Sequence, residues 1–193
     1  MMNYDEMKEK LQGRLKPSRF AHSIGVAETS VILAKRFDVD VKKAEIAGLL
    51  HDCARQYPNE QMIEEANKRN ISYGPVEKKM PLLLHGYIGA RLIGEEYGVH
   101  DREIAQSIYH HTVGGASMTD LDKIIYFADM IEPGRSYPGV DELRALARSA
   151  SLDEMVFAGL TQSIKFVINK GHLIHPDTVI ARNELLIKLH ENI

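Results

Sequence analysis

Apolar residues along this chain recur at intervals of three and four, the spacing of one face of an α-helix, and no convincing strand pattern is present. Asn3 with Glu6 resembles a capping box, and Pro17 stands at the start of a second helix. Asp40 can cap a third helix, and Gly98 closes a later one. The pattern predicts further helices at about 60–69, 82–97, 101–112, 120–132, 141–150, 152–171 and 178–192. The sequence therefore predicts an all-α fold, a single compact helical bundle of about nine or ten helices.

Several titratable residues fall on the apolar faces of these predicted helices, as judged from their neighbours three and four positions away. His22 shares a stripe with Val26 and Leu33. Asp129 lies four residues after Ile125 on the helix that ends before Pro133. The residues predicted to face the core are His22, His51, Asp52, His85, His111 and Asp129.

Two adjacent histidines in "SIYHHTVGG" compete for one interior position. His111 aligns with Ile104 and Ile108 along one helical face, whereas His110 is rotated from that face by roughly 100°. The helical phase therefore favours His111 as the interior residue and leaves the role of His110 open.

A buried group of imidazoles and carboxylates needs a physical reason, because apolar segments seldom tolerate charge that lacks a partner. The pair His51 and Asp52 closes the apolar run "AGLL". For one inward histidine, a hydrogen-bonded core residue is the ordinary explanation. For the whole set, burial without a cation leaves a costly polar cluster, whereas a metal ion converts the same groups into ligands. We therefore predict a metal site in the core.

Composition limits the class of protein and of partner. The chain has 193 residues with 44% apolar content, enough for one compact domain with a sizeable core. A net charge of -3 and a pI near 6.3 argue against a broad surface for nucleic acid. A single cysteine, Cys53, excludes an intramolecular disulfide and fits a reducing compartment. With a polar N-terminus and no long apolar run, the protein is expected in the cytoplasm and away from membranes.

The chain resembles the HD-domain metal-dependent phosphohydrolases, whose ordered ligand pattern matches the six inward positions above. Within that family, the sequence resembles the YqeK-type branch, small bacterial enzymes that hydrolyse diadenosine tetraphosphate (Ap4A) symmetrically. The resemblance extends from about Arg19 to Leu186. The segments that carry it are "RFAHSIGVAETSVILAKRF", "AEIAGLLHDCAR", "LLHGYIGARL", "HHTVGGASMTDLDKIIYFADMIEPGRSYPGV" and "HPDTVIARNELL".

The resemblance implies a dinuclear centre in which Asp52 bridges two metal ions. It assigns His22, His51 and Asp129 to one ion, and His85 and His111 to the other. Mixed imidazole and carboxylate ligands suit iron, manganese or cobalt, and the resemblance favours iron in a divalent or mixed-valence pair. A hydroxide held between the ions would attack an inner phosphorus of Ap4A and release two ADP molecules. Asp52, His85 and His111 are therefore expected to take part in catalysis.

Three arginines near these positions are candidate phosphate-binding residues, since charge on the phosphates must be met by fixed donors. Arg19 precedes His22 by three residues, Arg55 follows the HD pair, and Arg135 follows the helix that carries Asp129. The alternative is that they are solvated arginines at helix ends. The YqeK-type branch that this chain resembles usually has lysine at the position of Arg55.

Other functions and boundaries stay open at this point. A protein of the same fold could hydrolyse another nucleotide, such as a nucleoside monophosphate, or bind a nucleotide in a regulatory role.

We expect residues 1–193 to form one HD domain, with a metal-site core at about 18–135 and covering helices at about 140–190. These last helices could also form a homodimer. His172 and His175 flank a turn and are expected to serve structure first.

Overall fold

The computed structural model describes residues 2–191, and within this range every regular element is helical. The α-helices are α1 (Tyr4–Gln12), α2 (Pro17–Arg36), α3 (Val41–Leu50), α4 (Met62–Lys68), α5 (Pro75–Lys79), α6 (Leu84–Tyr97), α7 (Arg102–His110), α8 (Asp120–Ile131), α9 (Val140–Ser149), α10 (Leu152–Asn169) and α11 (Pro176–Glu191). Short 3-10 turns cover Cys53–Gln56, Asn59–Gln61 and Pro81–Leu83. The all-α prediction is confirmed, and the short helix α5 is the addition. The predicted last helix also included Asn192, which lies outside the described residues.

The predicted capping residues begin and end the helices as their chemistry requires. Asn3 and Glu6 form the capping box of α1, with Glu6 N donating to Asn3 Oδ1 at 3.0 Å and Asn3 N donating to Glu6 Oε2 at 2.7 Å. Asp40 caps α3 by accepting from the amides of its first turn. Gly98 ends α6 with a φ of 67°, a left-handed conformation that favours glycine.

Helix α8 lies at the centre of the packing and contacts α2, α3, α7 and α10. Its residues 121–128 are all buried, among them Ile124, Ile125 and Phe127, so the helix is covered around most of its circumference. Helix α11 packs on α10, on the side of the bundle formed by the last two helices. None of the helices in residues 2–191 combines the length and apolar character needed to span a bilayer.

Helices α2 and α3 approach each other closely at Gly48. A Cβ at this position would lie 2.8 Å from Ala27 Cα and 3.0 Å from Ala27 N, closer than real Cβ atoms come to backbone. Both neighbouring atoms belong to the α2 backbone, which cannot move aside as a flexible side chain can. The absence of a side chain at Gly48 therefore sets the spacing between the two helices that carry His22 and His51.

We predict that Gly48→Ala lowers the free energy of unfolding by about 1–3 kcal/mol, because the new methyl group forces the two helices apart. The matched control is Gly13→Ala, since the nearest atom to a Cβ there would be Lys10 O at 3.7 Å and the backbone is already right-handed. That control should be neutral or slightly stabilising. Urea unfolding of both variants measures the difference, and equal effects would contradict the close-packing argument.

Candidate metal centre

Six side chains from five segments of the chain converge in one cluster, in which four are buried and His22 and Asp129 are partly exposed. His22 comes from the middle of α2, His85 from the first turn of α6 and Asp129 from the last turn of α8. His51 and His111 stand at the C-terminal ends of α3 and α7, and Asp52 follows His51. His22 Nε2 lies 3.3 Å from His51 Nε2 and 2.9 Å from Asp129 Oδ1, and His85 Nε2 lies 3.0 Å from His111 Nε2. The structure thus brings all six inward candidates together.

The carboxylate of Asp52 lies between two groups of imidazoles and turns one oxygen to each. Its Oδ2 is 3.5 Å from His51 Nε2 and 3.8 Å from His22 Nε2. Its Oδ1 is 3.2 Å from His85 Nε2 and 3.8 Å from His111 Nε2. Asp52 is therefore placed so that its two oxygens could serve two different cations.

Three of the histidines are oriented by a backbone carbonyl that precedes them in the chain. In His51, His85 and His111 the Nδ1 atom contacts a carbonyl oxygen three residues earlier. These acceptors are Gly48 O at 2.7 Å, Leu82 O at 2.5 Å and Ile108 O at 2.6 Å. Because a carbonyl only accepts, Nδ1 must carry the proton, and each Nε2 lone pair is left facing the cluster.

His22 is oriented differently, by a residue that the sequence did not single out. Its Nδ1 lies 3.0 Å from Oε1 of Glu132, which is 4% exposed and whose Oε2 accepts from Gly134 N at 2.6 Å. Gly25 makes room for this carboxylate, since a Cβ there would lie 2.6 Å from Glu132 Oε2. The available signals were a glutamate three residues after Asp129 and a glycine one turn after His22.

Electrostatics set the protonation states that metal ligands need. Burial raises the pKa of Asp52, but His51 and His85 outweigh burial and hold this pKa well below its usual range. Burial also raises the pKa of Asp129, and the hydrogen bond from His22 leads the effects that hold it low. Burial lowers the pKa of His51, and lowers that of His111 to about 3. At neutral pH both carboxylates are charged and these two imidazoles are neutral, as coordination requires.

For His22, burial lowers the pKa, but the hydrogen bonds to Asp129 and Glu132 outweigh burial and raise it. The Glu132 carboxylate thus makes this imidazole more basic, which is the effect that a carboxylate behind a metal-bound histidine has. His22 and Glu132 together form a histidine–carboxylate pair aimed at the cluster.

Two of the three predicted arginines contact the cluster directly, and the third lies beside it. Arg19 Nη1 donates to Asp52 Oδ2 at 2.8 Å. Arg135 Nη2 donates to Asp129 Oδ1, and its Nε donates to the Asp129 carbonyl at 2.7 Å. Arg55 makes no side-chain hydrogen bond to another described residue. Burial lowers its pKa, and Asp52 opposes that effect. The structure therefore places one uncommitted guanidinium next to two that are bound to carboxylates.

Three other polar side chains lie at or outside the edge of the cluster. Thr112 Oγ1 is 3.3 Å from Nε2 of both His85 and His111. His110 turns away, as the helical phase indicated, and its Nδ1 lies 3.0 Å from Asp122 Oδ2. His175 contacts Glu77 rather than the cluster.

Cys53 is fully buried beside the cluster. Burial, with a smaller effect from Asp52, raises the pKa of the Cys53 thiol to about 12. The thiol is therefore protonated at neutral pH and is not a nucleophile.

The arrangement agrees with a comparison of the chain with known families. The HD domain family matches residues 19–134, a range that begins at Arg19 and ends just after Asp129 and Glu132. The chain belongs to the HD-domain family. HD domains are metal-dependent, and two groups of the cluster have ligand atoms close enough together to hold an ion. These groups are His22, His51 and Asp129, and His51, Asp52 and His111.

Relatives within this HD-domain family match almost the whole chain. The symmetrical bis(5'-nucleosyl)-tetraphosphatase of Bacillus subtilis (strain 168) is 37% identical over 96% of this chain and 98% of its own length. The protein of the same name from Halalkalibacterium halodurans is 35% identical over 97% of this chain and 99% of its own. A crystal structure described as a predicted HD superfamily hydrolase involved in NAD metabolism, from Clostridium acetobutylicum, is 40% identical. It has a TM-score of 0.92 and covers 97% of this chain and 99% of that one.

We predict that Glu132→Gln weakens binding of a divalent metal ion by about 10–100-fold, the usual effect of losing a carboxylate behind a ligating histidine. The glutamine keeps an oxygen that accepts from His22 Nδ1 but removes the charge that raises the basicity of the ring. Metal titration of the metal-free protein against a competing chelator measures the change. Glu142→Gln, an identical change at an exposed position of α9, is the control. Equal metal affinity in both variants would contradict this role of Glu132.

Proposed function

We propose that this protein is a metal-dependent hydrolase that cleaves Ap4A symmetrically into two ADP molecules. The observation that carries the proposal is the Asp52 carboxylate, whose two oxygens face separate histidine pairs. Arg19 is bonded to Asp52, and Arg135 is bonded to the neighbouring Asp129. The names of the Bacillus and Halalkalibacterium relatives, both symmetrical tetraphosphatases, support the choice of substrate. Their similarity extends over nearly the whole chain.

The ligand set that we propose follows the division of the cluster by Asp52. His22, His51 and Asp129 hold one ion, His85 and His111 hold the second, and Asp52 is shared. Neutral imidazoles with ionised carboxylates suit iron, manganese or cobalt better than magnesium or calcium, and iron is our first choice. Bound divalent cations at such a site supply Lewis acidity, which makes water a nucleophile at neutral pH and polarises phosphoryl oxygens.

The arginines then hold and orient the polyphosphate. Among residues 2–191 no carboxylate lies within hydrogen-bond distance of the Arg55 side chain, so its guanidinium can bind a phosphate oxygen. Arg19 and Arg135 neutralise Asp52 and Asp129 in this structure, and their side chains are about one third exposed. They can therefore donate to a phosphate through the nitrogen atoms that the carboxylates do not use.

Cleavage into two equal halves requires attack at one of the two inner phosphorus atoms. The oxygen of water bonds to that phosphorus, and the bond to the oxygen bridging the two inner phosphates breaks. The bridging oxygen leaves with the other half as a phosphate of ADP, so that Ap4A and one water give two ADP. The guanidinium groups of Arg19, Arg55 and Arg135 near the cluster can stabilise the charge that develops on the phosphates.

We propose two further points that rest on the sequence. Residues at about 18–135 form the metal-holding core of the single domain 1–193, and residues at about 140–190 cover it. The compartment is the cytoplasm, since the single cysteine lies buried beside the cluster and forms no disulfide.

We expect protein purified under reducing conditions with iron or manganese to convert Ap4A to ADP alone, and to lose this activity when a strong chelator is added. Ion-exchange chromatography of the products measures the outcome. AMP with ATP would show attack at an outer phosphorus and contradict the symmetrical reaction. No turnover with either metal would reject Ap4A as the substrate and lead to a panel of other nucleotides.

We predict that Asp52→Asn loses metal and slows hydrolysis at least a hundredfold, since metal ions contribute several kcal/mol to such transition states. Asparagine keeps the shape of the side chain but cannot offer two anionic oxygens. Metal content and turnover are measured on the same sample. Asp141→Asn, at a side chain that is 87% exposed, is the matched control. Full activity with normal metal content in Asp52→Asn would remove Asp52 from the centre.

A further inference from the structure

A cavity of about 650 Å³ opens beside the cluster, between the end of α8, the loop that follows it and α10. Its inner wall belongs to the segment that holds Asp129. Met130 is the next residue of that segment, and Arg135, which also lines the cavity, donates to Asp129. Tyr137 is fixed on the same wall, because its hydroxyl donates to Met130 O at 2.7 Å. The volume lies within the usual range for small-molecule sites.

The outer wall of this cavity carries an aromatic ring that packing leaves uncovered. Phe166 on α10 lines the cavity and is 58% exposed. Lys170 Nζ lies over the ring at 5.9 Å from its centre, and the 58% exposure of Phe166 leaves further ring surface open to a partner. An open aromatic face of this kind is the platform on which nucleobases stack.

The polar groups of the cavity complement a base with an anionic tail. Gln162 donates its Nε2 to Pro138 O at 3.1 Å, which leaves its carbonyl oxygen to accept from an amino group. Asn169 adds a second amide at the rim. Lys165 and Lys170 supply positive charge, and none of the described residues that line the cavity is acidic. A flat heterocycle with hydrogen-bonding edges and a phosphate chain satisfies each of these groups.

We propose that this cavity binds the nucleoside of one ADP half of the substrate, with its base stacked on Phe166 and its phosphates directed along Arg135 toward the cluster. The inference rests on the proposed function, because Arg135 connects the cavity to the site of phosphate cleavage. Phe166 then determines the preference for a substrate that carries a base and takes no part in the bond-breaking step.

Binding measurements on metal-loaded protein test this proposal with two probes, ADP and inorganic pyrophosphate. Phe166→Ala should weaken ADP binding by about tenfold, the equivalent of roughly 1.4 kcal/mol, which lies in the range for base stacking on an aromatic ring. Pyrophosphate binding should stay unchanged, because it has no base. Phe166→Tyr should restore ADP affinity, since it keeps the ring.

The matched control is Ile168→Ala. Ile168 lies on the same helix with 57% exposure but does not line the cavity, so its loss should change neither affinity. The proposal is overturned if Phe166→Ala and Ile168→Ala weaken ADP binding equally. It is also overturned if Phe166→Ala weakens the binding of ADP and of pyrophosphate equally.

Steady-state kinetics with Ap4A separate this inference from the proposed function. If the protein releases ADP from Ap4A and Phe166→Ala leaves the KM unchanged, the nucleoside cavity is wrong and the reaction stands. If Ap4A is not hydrolysed but the ADP and pyrophosphate measurements show the expected pattern, the cavity stands and the proposed reaction falls.

Discussion

An ionised carboxylate in the interior is the constraint on which this structure depends. Asp52 is 3% exposed, and taking a carboxylate out of water costs several kcal/mol even in a relaxed protein. Four imidazole nitrogens at 3.2–3.8 Å and the Arg19 guanidinium at 2.8 Å offset that cost. Because no single helix can deliver such a set, several helices must bring their ends and faces to this one position.

The ends of helices supply the orientation that the cluster needs. Each of three histidines uses the carbonyl three residues earlier to fix its ring. The backbone of α3, of the 3-10 turn before α6 and of α7 therefore sets the direction of the Nε2 atoms. Gly48 has two roles in this arrangement. Its missing side chain allows α2 to approach α3, and its carbonyl orients His51. A change that shifts the backbone at Gly48 therefore alters both the packing of α2 on α3 and the orientation of His51.

Helical periodicity predicted the inward residues because it is local: His111 and His110 differ by one position, and their phase alone decided which faces the core. It could not predict Glu132, which follows the last turn of α8 and meets His22 only through the packing of α2 on α8. The short helix α5 has too few residues to show a period. The cavity at Phe166 joins α8, its loop and α10, so it exists only in the folded chain.

Charge balance links the cluster to the groups proposed to bind phosphate. Asp52, Asp129 and Glu132 place three carboxylates around His22, and Arg19 and Arg135 are bonded to the first two. Bound cations would take over the neutralisation of Asp52 and Asp129, since both carboxylates are ionised and face the histidine nitrogens. The guanidiniums would then carry positive charge that the carboxylates no longer offset. An anionic polyphosphate can use that charge, together with the charge of Arg55, whose side chain hydrogen-bonds to none of the described residues.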